Sequence, residues 1–373
     1  MDLIPTPEQL ANAAANAYDK VFRGGVADLR RTPARIIDEA PKRVVYRYLP
    51  QHDEPQHDLP VLFIPPLAAP TISFDLRRGC SMAEHFIAMG HPTYLVEYGA
   101  IAFSDRDLGL EYWVRDVLPS AIRTVSEDAG GRPVQLVGWC LGGIMSLLAV
   151  AGDDTLPVAS VAAIASPFDF AQSRLTAPLR MAANVTNGFL GSAVYRTFGG
   201  APAPLVKWAF QLTSIDKYLT KPLAIATHLD DREFLAQIEA VDNFMGHMHA
   251  YPGRTMGQLY HRFFRVNDLA DGTLDFDDGE GEIELANVRV PVIAVAGQND
   301  VLAPRGAVYH LGTLLPNAPE VRIETAPGGH LGVLTGRSAA KTTWAWVDEF
   351  FASTAATAAR AAASDKPALR VVA

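Results

Sequence analysis

Residues 137–146 read VGWCLGGIMS. An apolar run ends there, a glycine-rich turn follows, and a second apolar run begins, with Cys140 in the turn. A strand, then G-x-C-x-G, then a helix is the pattern of a nucleophile turn. Gly138 and Gly142 omit side chains that would collide across so sharp a bend. Gly143 lets the following helix approach the sheet. A side chain at position 140 would then project from the C-terminal edge of the sheet. The Leu141 N–H, at the start of the helix, would be free to stabilise an oxyanion. The plainer alternative is a small hydrophobe in a corner, since free cysteines are often simply buried. The two readings separate on whether an acid and a histidine follow the cysteine in that order.

Both follow. VIAVAGQNDVLAP (292–304) reads as a strand that ends in a loop carrying Asp300. TAPGGHLGVLTG (325–336) closes the next strand with a Gly-rich loop carrying His330. Strand-end loops are where α/β folds place their chemistry. The other histidines lack such a setting and read as surface or packing residues. His247 and His249 stand in HMH without an evident third ligand, so no metal is expected. A second oxyanion donor is expected from the loop after an earlier strand. FIPPLAAP (63–70) stands there, and Leu67 or Ala68 would supply the N–H, because Pro65 and Pro66 have none.

Around these motifs, short apolar runs alternate with helical patterns. Strands are expected at 43–49, 60–66, 92–99, 133–139, 158–167, 290–297 and 320–325. Helices are expected at 7–22, 81–90, 110–128, 141–151 and 338–353. Such alternation predicts an α/β fold, with a mostly parallel, doubly wound sheet. The alternation stops after Pro167, and 170–287 are mainly helical in pattern. The divisions this predicts are an N-terminal helical segment (1–40), a core made of 41–169 and 288–354, a helical cap insertion (170–287) and a flexible Ala-rich tail (355–373).

The 373 residues carry a formal net charge of -9, with 49% hydrophobic and 20% charged. No Lys/Arg-rich segment offers a nucleic-acid footprint. No apolar run reaches transmembrane length, and the first 20 residues lack the pattern of a secretion signal. Two cysteines, Cys80 and Cys140, are too few for a disulfide framework and suit a reducing cytoplasm. Cys80 reads as structural. A dinucleotide-binding reading fails, because GWCLGG does not satisfy G-x-G-x-x-G.

Together these segments resemble the polyhydroxyalkanoate synthases, and in particular their short class III catalytic subunits, over roughly residues 60–350. The resemblance is carried by GWCLGG, by FDLRRGCSMAEHFIAMGHPTYLVEYG, by IASPFDF (164–170), by YPGRTMGQLYHRFFRVNDLADG (251–272) and by GGHLGVLTGRSAAKTTWAWVDEFF. The chain departs from that family where LAAPTISF follows the Pro-Pro pair and where Glu97-Tyr98-Gly99 replaces Asp-Trp-Gly. The resemblance implies an α/β-hydrolase fold, with Cys140 as nucleophile, Asp300 as acid and His330 as base. It implies 3-hydroxyacyl-CoA and a growing polyester as substrates, with coenzyme A as the leaving group and no separate cofactor. It also implies a second synthase subunit or a homodimer as partner, and a place in the cytoplasm at the polyester granule surface.

Cysteine suits such chemistry. A thiolate exchanges one thioester for another and keeps the acyl group activated, whereas a serine would form an oxygen ester. A Cys-dependent acyl hydrolase on the same fold is the alternative, and a non-catalytic granule protein is a more distant one. Aromatic residues crowd the insertion: Phe189, Phe198, Trp208, Phe210, Phe234, Phe244, Phe263 and Phe264. Most are expected to fill its core, with a few lining an acyl path.

Overall fold

The computed structural model describes residues 6–50, 59–173, 199–212 and 215–364, with single positions at 177, 180, 181 and 197. Its centre is one eight-stranded sheet. The strands are β1 (Ala34–Ala40), β2 (Arg43–Tyr48), β3 (Val61–Ile64), β4 (Thr93–Glu97), β5 (Val134–Trp139), β6 (Val158–Ile164), β7 (Val292–Gly297) and β8 (Val321–Ala326). In space they run β1-β2-β4-β3-β5-β6-β7-β8. β2 pairs antiparallel with β1 and with β4. Every other pairing is parallel.

Composition explains which strands lie inside. Every residue of β3, β5 and β7 is buried, as expected of parallel strands covered on both faces. Their sequences, VLFI, VQLVGW and VIAVAG, are accordingly near-continuous apolar runs. The covering helices include α2 (Met82–Ala88), α3 (Leu118–Asp128) and α4 (Leu141–Gly152). In α4 all residues from Leu141 to Ala151 are buried. A π-helical stretch, Tyr112–Val117, leads into α3 and buries Trp113, Val114 and Val117.

Register sets the location of the site. Ile64 stands opposite Gly138, Trp139 opposite Ile164, Ile164 opposite Val295 and Gly297 opposite Ala326. The strands therefore end along one edge of the sheet. The loops that leave this edge hold residues 65–70, 140, 298–304 and 327–331.

No described residue between Ile164 and Val292 joins this sheet. That stretch contains helices α5 (Ala203–Leu212), α6 (Ile215–Thr227), α7 (Arg232–Gly246) and α8 (Gly253–Gln258). Helix α1 (Pro7–Phe22) begins with a capping box between Thr6 and Gln9. It rests on this insertion: Asn16 Nδ2 donates to the Leu229 carbonyl at 2.8 Å, and Lys20 and Arg232 pair with Glu239 and Asp19.

Two expectations need correction. Residues 1–40 are not a helical segment, because β1 occupies Ala34–Ala40. Its sequence, ARIIDEA, sets three charged residues among apolar ones, as suits an edge strand that pairs on one side only and leaves much of itself exposed. The closing helix α9 (Thr343–Ser364) continues into the segment expected to be a flexible tail. Alanine has the strongest helix propensity of all residues, and TAATAARAAAS is rich in it. The final residues, 365–373, lie outside the described residues.

Candidate active site

Cys140 sits between β5 and α4 with φ 55° and ψ -122°. Few non-glycine residues tolerate a positive φ, and such backbone strain persists only where the surroundings enforce it. Here they do. The Cys140 amide donates to the Ile164 carbonyl at 2.8 Å, which carries the β-ladder one residue past Trp139. The buried helix α4 departs from the next residue. The neighbouring glycines are demanded by contact. A Cβ at Gly138 would strike the backbone of Gly143, one at Gly142 would strike the Ile64 carbonyl, and one at Gly143 would strike the Ser166 hydroxyl. Gly143 thus allows α4 to lie against the end of β6.

His330 and Asp300 are brought to this turn from the ends of β8 and β7. Both are 6% exposed. Nδ1 of His330 lies 2.8 Å from Oδ2 of Asp300. The other oxygen of Asp300 accepts from the amides of Leu302 and Ala303, each at 2.9 Å. The carboxylate is therefore held from two sides. Nε2 of His330 is buried and has no hydrogen-bond partner among the described residues. Burial is the largest influence on the His330 pKa and acts to lower it. The Asp300 carboxylate and then Cys140 outweigh it and push the imidazole up to about 10.

The two cysteines differ in kind. Cys140 is partly exposed, whereas Cys80 is buried. Sγ of Cys80 contacts the Thr335 carbonyl at 3.2 Å, and burial pushes its pKa up. A reactive thiol needs access and a stabilised thiolate, and Cys80 has neither.

Leu141 is the first residue of α4, so its N–H has no intrahelical acceptor. The amides of Leu67 and Ala68 make no hydrogen bond among the described residues, although both residues are buried. Their loop is held from three directions. The Tyr98 hydroxyl donates to the Pro65 carbonyl at 3.3 Å, the Ala69 amide to Pro66 at 3.1 Å, and the His249 amide to the Ala68 carbonyl at 2.8 Å.

Several neighbours escape a reading of the sequence. The Trp139 indole N–H donates to the His330 carbonyl at 3.1 Å, and the two rings lie 5.3 Å apart. A tryptophan at a strand end looks only like core, and no sequence signal marks this bond. Of the insertion aromatics, Phe210 approaches His330 with ring centroids 6.1 Å apart, and Phe244 meets Trp139 at 6.0 Å. Phe263 and Phe264 pack on Phe170 instead, Phe234 stacks on His228, and Trp208 is 57% exposed. Phe189 and Phe198 lie outside the described residues.

No family model matches the chain. Among curated proteins, the chain is 26% identical over 345 residues to the poly(3-hydroxyalkanoate) polymerase subunit PhaC of Thiocystis violacea, covering 90% of this chain and 94% of that one. It is 25% identical over 325 residues to the subunit of the same name from Allochromatium vinosum, covering 87% and 89%. The corresponding subunit of Haloarcula marismortui is 22% identical over 332 residues, covering 87% and 68%. Among solved structures, a thermophilic esterase from Thermogutta terrifontis superposes with a TM-score of 0.50 at 11% identity, over 86% of this chain and 99% of that one. Mouse alpha/beta hydrolase domain-containing protein 10 gives 0.49 at 15%, over 86% and 99%. The strand order and the esterase establish the fold, and the likeness to the polymerase subunits extends over most of the chain. The chain is therefore similar over most of its length to the PhaC polymerase subunits, and it has an α/β-hydrolase fold.

Proposed function

We propose that this protein is an acyltransferase that polymerises 3-hydroxyacyl groups from coenzyme A thioesters through a thioester on Cys140. The observation that carries the reading is a partly exposed cysteine at positive φ beside a buried His330–Asp300 pair, in a chain similar to polymerase subunits.

In this reading His330 takes the Cys140 proton at Nε2, the nitrogen left unbonded. The thiolate attacks the thioester carbonyl, and the oxyanion accepts from the Leu141 N–H and from that of Leu67 or Ala68. Collapse of the intermediate expels the coenzyme A thiolate, which takes the proton back from His330. The products are an acyl-cysteine and free coenzyme A. Next the hydroxyl of a second acyl unit or of a growing chain gives its proton to Nε2 and attacks the acyl-cysteine. An oxygen ester forms, and the Cys140 thiolate leaves and is reprotonated. Asp300 orients the imidazole and stabilises its charged form throughout. The cycle only exchanges acyl groups and calls for no further cofactor.

Water competes with the hydroxyl for the acyl-cysteine. Phe210 and Phe244, approaching from the insertion, support exclusion of water, which also strengthens the local electrostatics. The test is to incubate the purified protein with 3-hydroxybutyryl-CoA, follow coenzyme A release and weigh the acyl product. Oligoester that disappears with Cys140→Ala upholds the reading. Free 3-hydroxybutyrate as the sole product would make the protein a thioesterase. Coenzyme A release unaffected by Cys140→Ala would refute the mechanism.

A further inference from the structure

Trp139 is the last residue of β5, directly before Cys140, and is fully buried. Two separate contacts of its indole go to one residue, 191 positions away. The N–H donates to the His330 carbonyl at 3.1 Å. The ring meets the His330 imidazole with centroids 5.3 Å apart and planes inclined by 38°. Rings side by side in one plane would be held further apart, and an edge-to-face pair would be nearly perpendicular. The indole and the imidazole therefore present faces to one another. Phe244, from α7, packs on the same indole at 6.0 Å with planes inclined by 61°. A core tryptophan needs only to fill space, whereas this one is locked to the backbone of the very residue whose ring it faces.

The His330 ring has little other means of carrying charge. The residue is 6% exposed, so water scarcely reaches it. Nδ1 lies 2.8 Å from Asp300 Oδ2, and Nε2 has no hydrogen-bond partner among the described residues. The titratable groups that act on the ring are Asp300 and Cys140. When Nε2 takes up a proton, a full positive charge appears out of water, and burial opposes it. Asp300 answers that charge at the ring's edge, through Nδ1. The faces of the ring are left to aromatic side chains. A cation within about 6 Å of an aromatic centroid is attracted by the negative face of the ring, most of all by tryptophan and most strongly where both are desolvated. Trp139 meets that distance, and Phe210, at 6.1 Å, stands at its limit.

We infer that Trp139 is an electrostatic partner of the base: the face of its indole stabilises the positive charge that the His330 imidazole takes up in each proton transfer. This rests on the proposed role of His330 as base toward the Cys140 thiol and the accepting hydroxyl. Asp300 and the indole divide the work. The carboxylate orients the ring and holds the proton on Nδ1. The indole lowers the energy of the charged form without competing for either nitrogen, so Nε2 stays open to the groups that react.

The test replaces Trp139 alone, in the full chain, by monofluorotryptophan and by tetrafluorotryptophan. Fluorine draws electrons away from the ring face and keeps the indole N–H and nearly the same shape. For each protein the His330 ring is titrated by NMR, and single-turnover coenzyme A release from 3-hydroxybutyryl-CoA is timed. The tetrafluoro ring should lower the His330 pKa by about one unit and slow release about tenfold, with the monofluoro ring in between. The monofluoro protein keeps the test decisive if the tetrafluoro protein fails to fold. A His330 titration that does not move overturns the inference, even if the urea midpoint shifts, because packing alone would then account for the contact. A lowered titration with unchanged release overturns the catalytic role. In both cases the acyl-cysteine reading stands. A wild type that releases no coenzyme A from this thioester would defeat that reading, and the inference with it.

Discussion

The Trp139 indole N–H donates to the backbone carbonyl of His330 at 3.1 Å. The residue immediately before the strained Cys140 thus holds the loop that brings the imidazole to it. The β5 end and the loop after β8 are separated by two strands in the sheet, yet this bond sets one against the other. Trp139→Phe keeps a ring in contact with His330 and Phe244 but leaves the His330 carbonyl without its donor. An unpaired buried acceptor costs about 1–3 kcal/mol, and urea denaturation should register a loss of that size. Coenzyme A release should slow as well, because the histidine loop loses its anchor. An unchanged unfolding midpoint would mean that the bond contributes nothing.

The two thiols should respond oppositely. Native protein treated with iodoacetamide should be alkylated at Cys140 and spared at Cys80, as peptide mapping would reveal. Cys140→Ala should abolish acyl transfer. Cys80→Ser should retain activity, since a serine hydroxyl can also donate to the Thr335 carbonyl. Labelling of Cys80 ahead of Cys140 would contradict the burial on which this assignment stands.

His330 should make stability depend on alkaline pH. Its folded pKa, about 10, lies above the ordinary histidine value of 6.5. A raised folded pKa contributes stability that is fully present below 6.5 and is lost as pH rises through about 10. The wild type should therefore lose unfolding free energy between these limits, and His330→Gln should lose less. Identical pH profiles for the two proteins would contradict the raised pKa.

Asp300→Asn should reverse the direction of that shift. Burial acts to lower the His330 pKa, and the Asp300 carboxylate is the foremost influence opposing it. With a neutral amide at position 300, NMR titration of the His330 ring should give a pKa well below that of the wild type. Coenzyme A release should fall steeply in parallel, since the amide can also hold the wrong tautomer. A His330 titration that is the same in both proteins would remove Asp300 from its electrostatic role.

Gly142 should tolerate no side chain. The Cβ of Gly142→Ala would meet the Ile64 backbone carbonyl, which cannot move without disturbing β3. The expected cost is at the upper end of the about 1–3 kcal/mol of overpacking. Thermal denaturation would measure it, and a wild-type Tm would show that the turn relaxes freely.

Much of the fold was legible in the sequence, for physical reasons that differ between elements. Strands β3, β5 and β7 are buried on both faces, so their apolar runs stand out against polar loops. Helix α1 carries its own start signal in Thr6, Pro7 and Gln9. β1 was illegible because an exposed edge strand needs no apolar face, and its pairing partner β2 supplies what its composition does not. The end of α9 is ambiguous in sequence because an alanine-rich stretch resembles a tail as readily as a helix. In the site, Cys140, Asp300 and His330 could be picked out because each stands in a glycine- or turn-rich loop after an apolar run. Trp139 and Tyr98 could not, because each looks locally like an ordinary core aromatic.

The sequence by itself determined the alternation of strands and helices, the glycines around Cys140 and the order cysteine, aspartate, histidine along the chain. These follow from local chemistry: side-chain period, turn sterics and the absence of a Cβ. Only the tertiary structure decided that Asp300 Oδ2 lies 2.8 Å from His330 Nδ1, that Trp139 grips the histidine loop, and that the His249 amide ties the insertion to the Ala68 carbonyl. Those relations join residues far apart in the chain through the register of a parallel sheet and the packing of the insertion upon its edge. No local pattern encodes a distance that depends on how many strands lie between two loops.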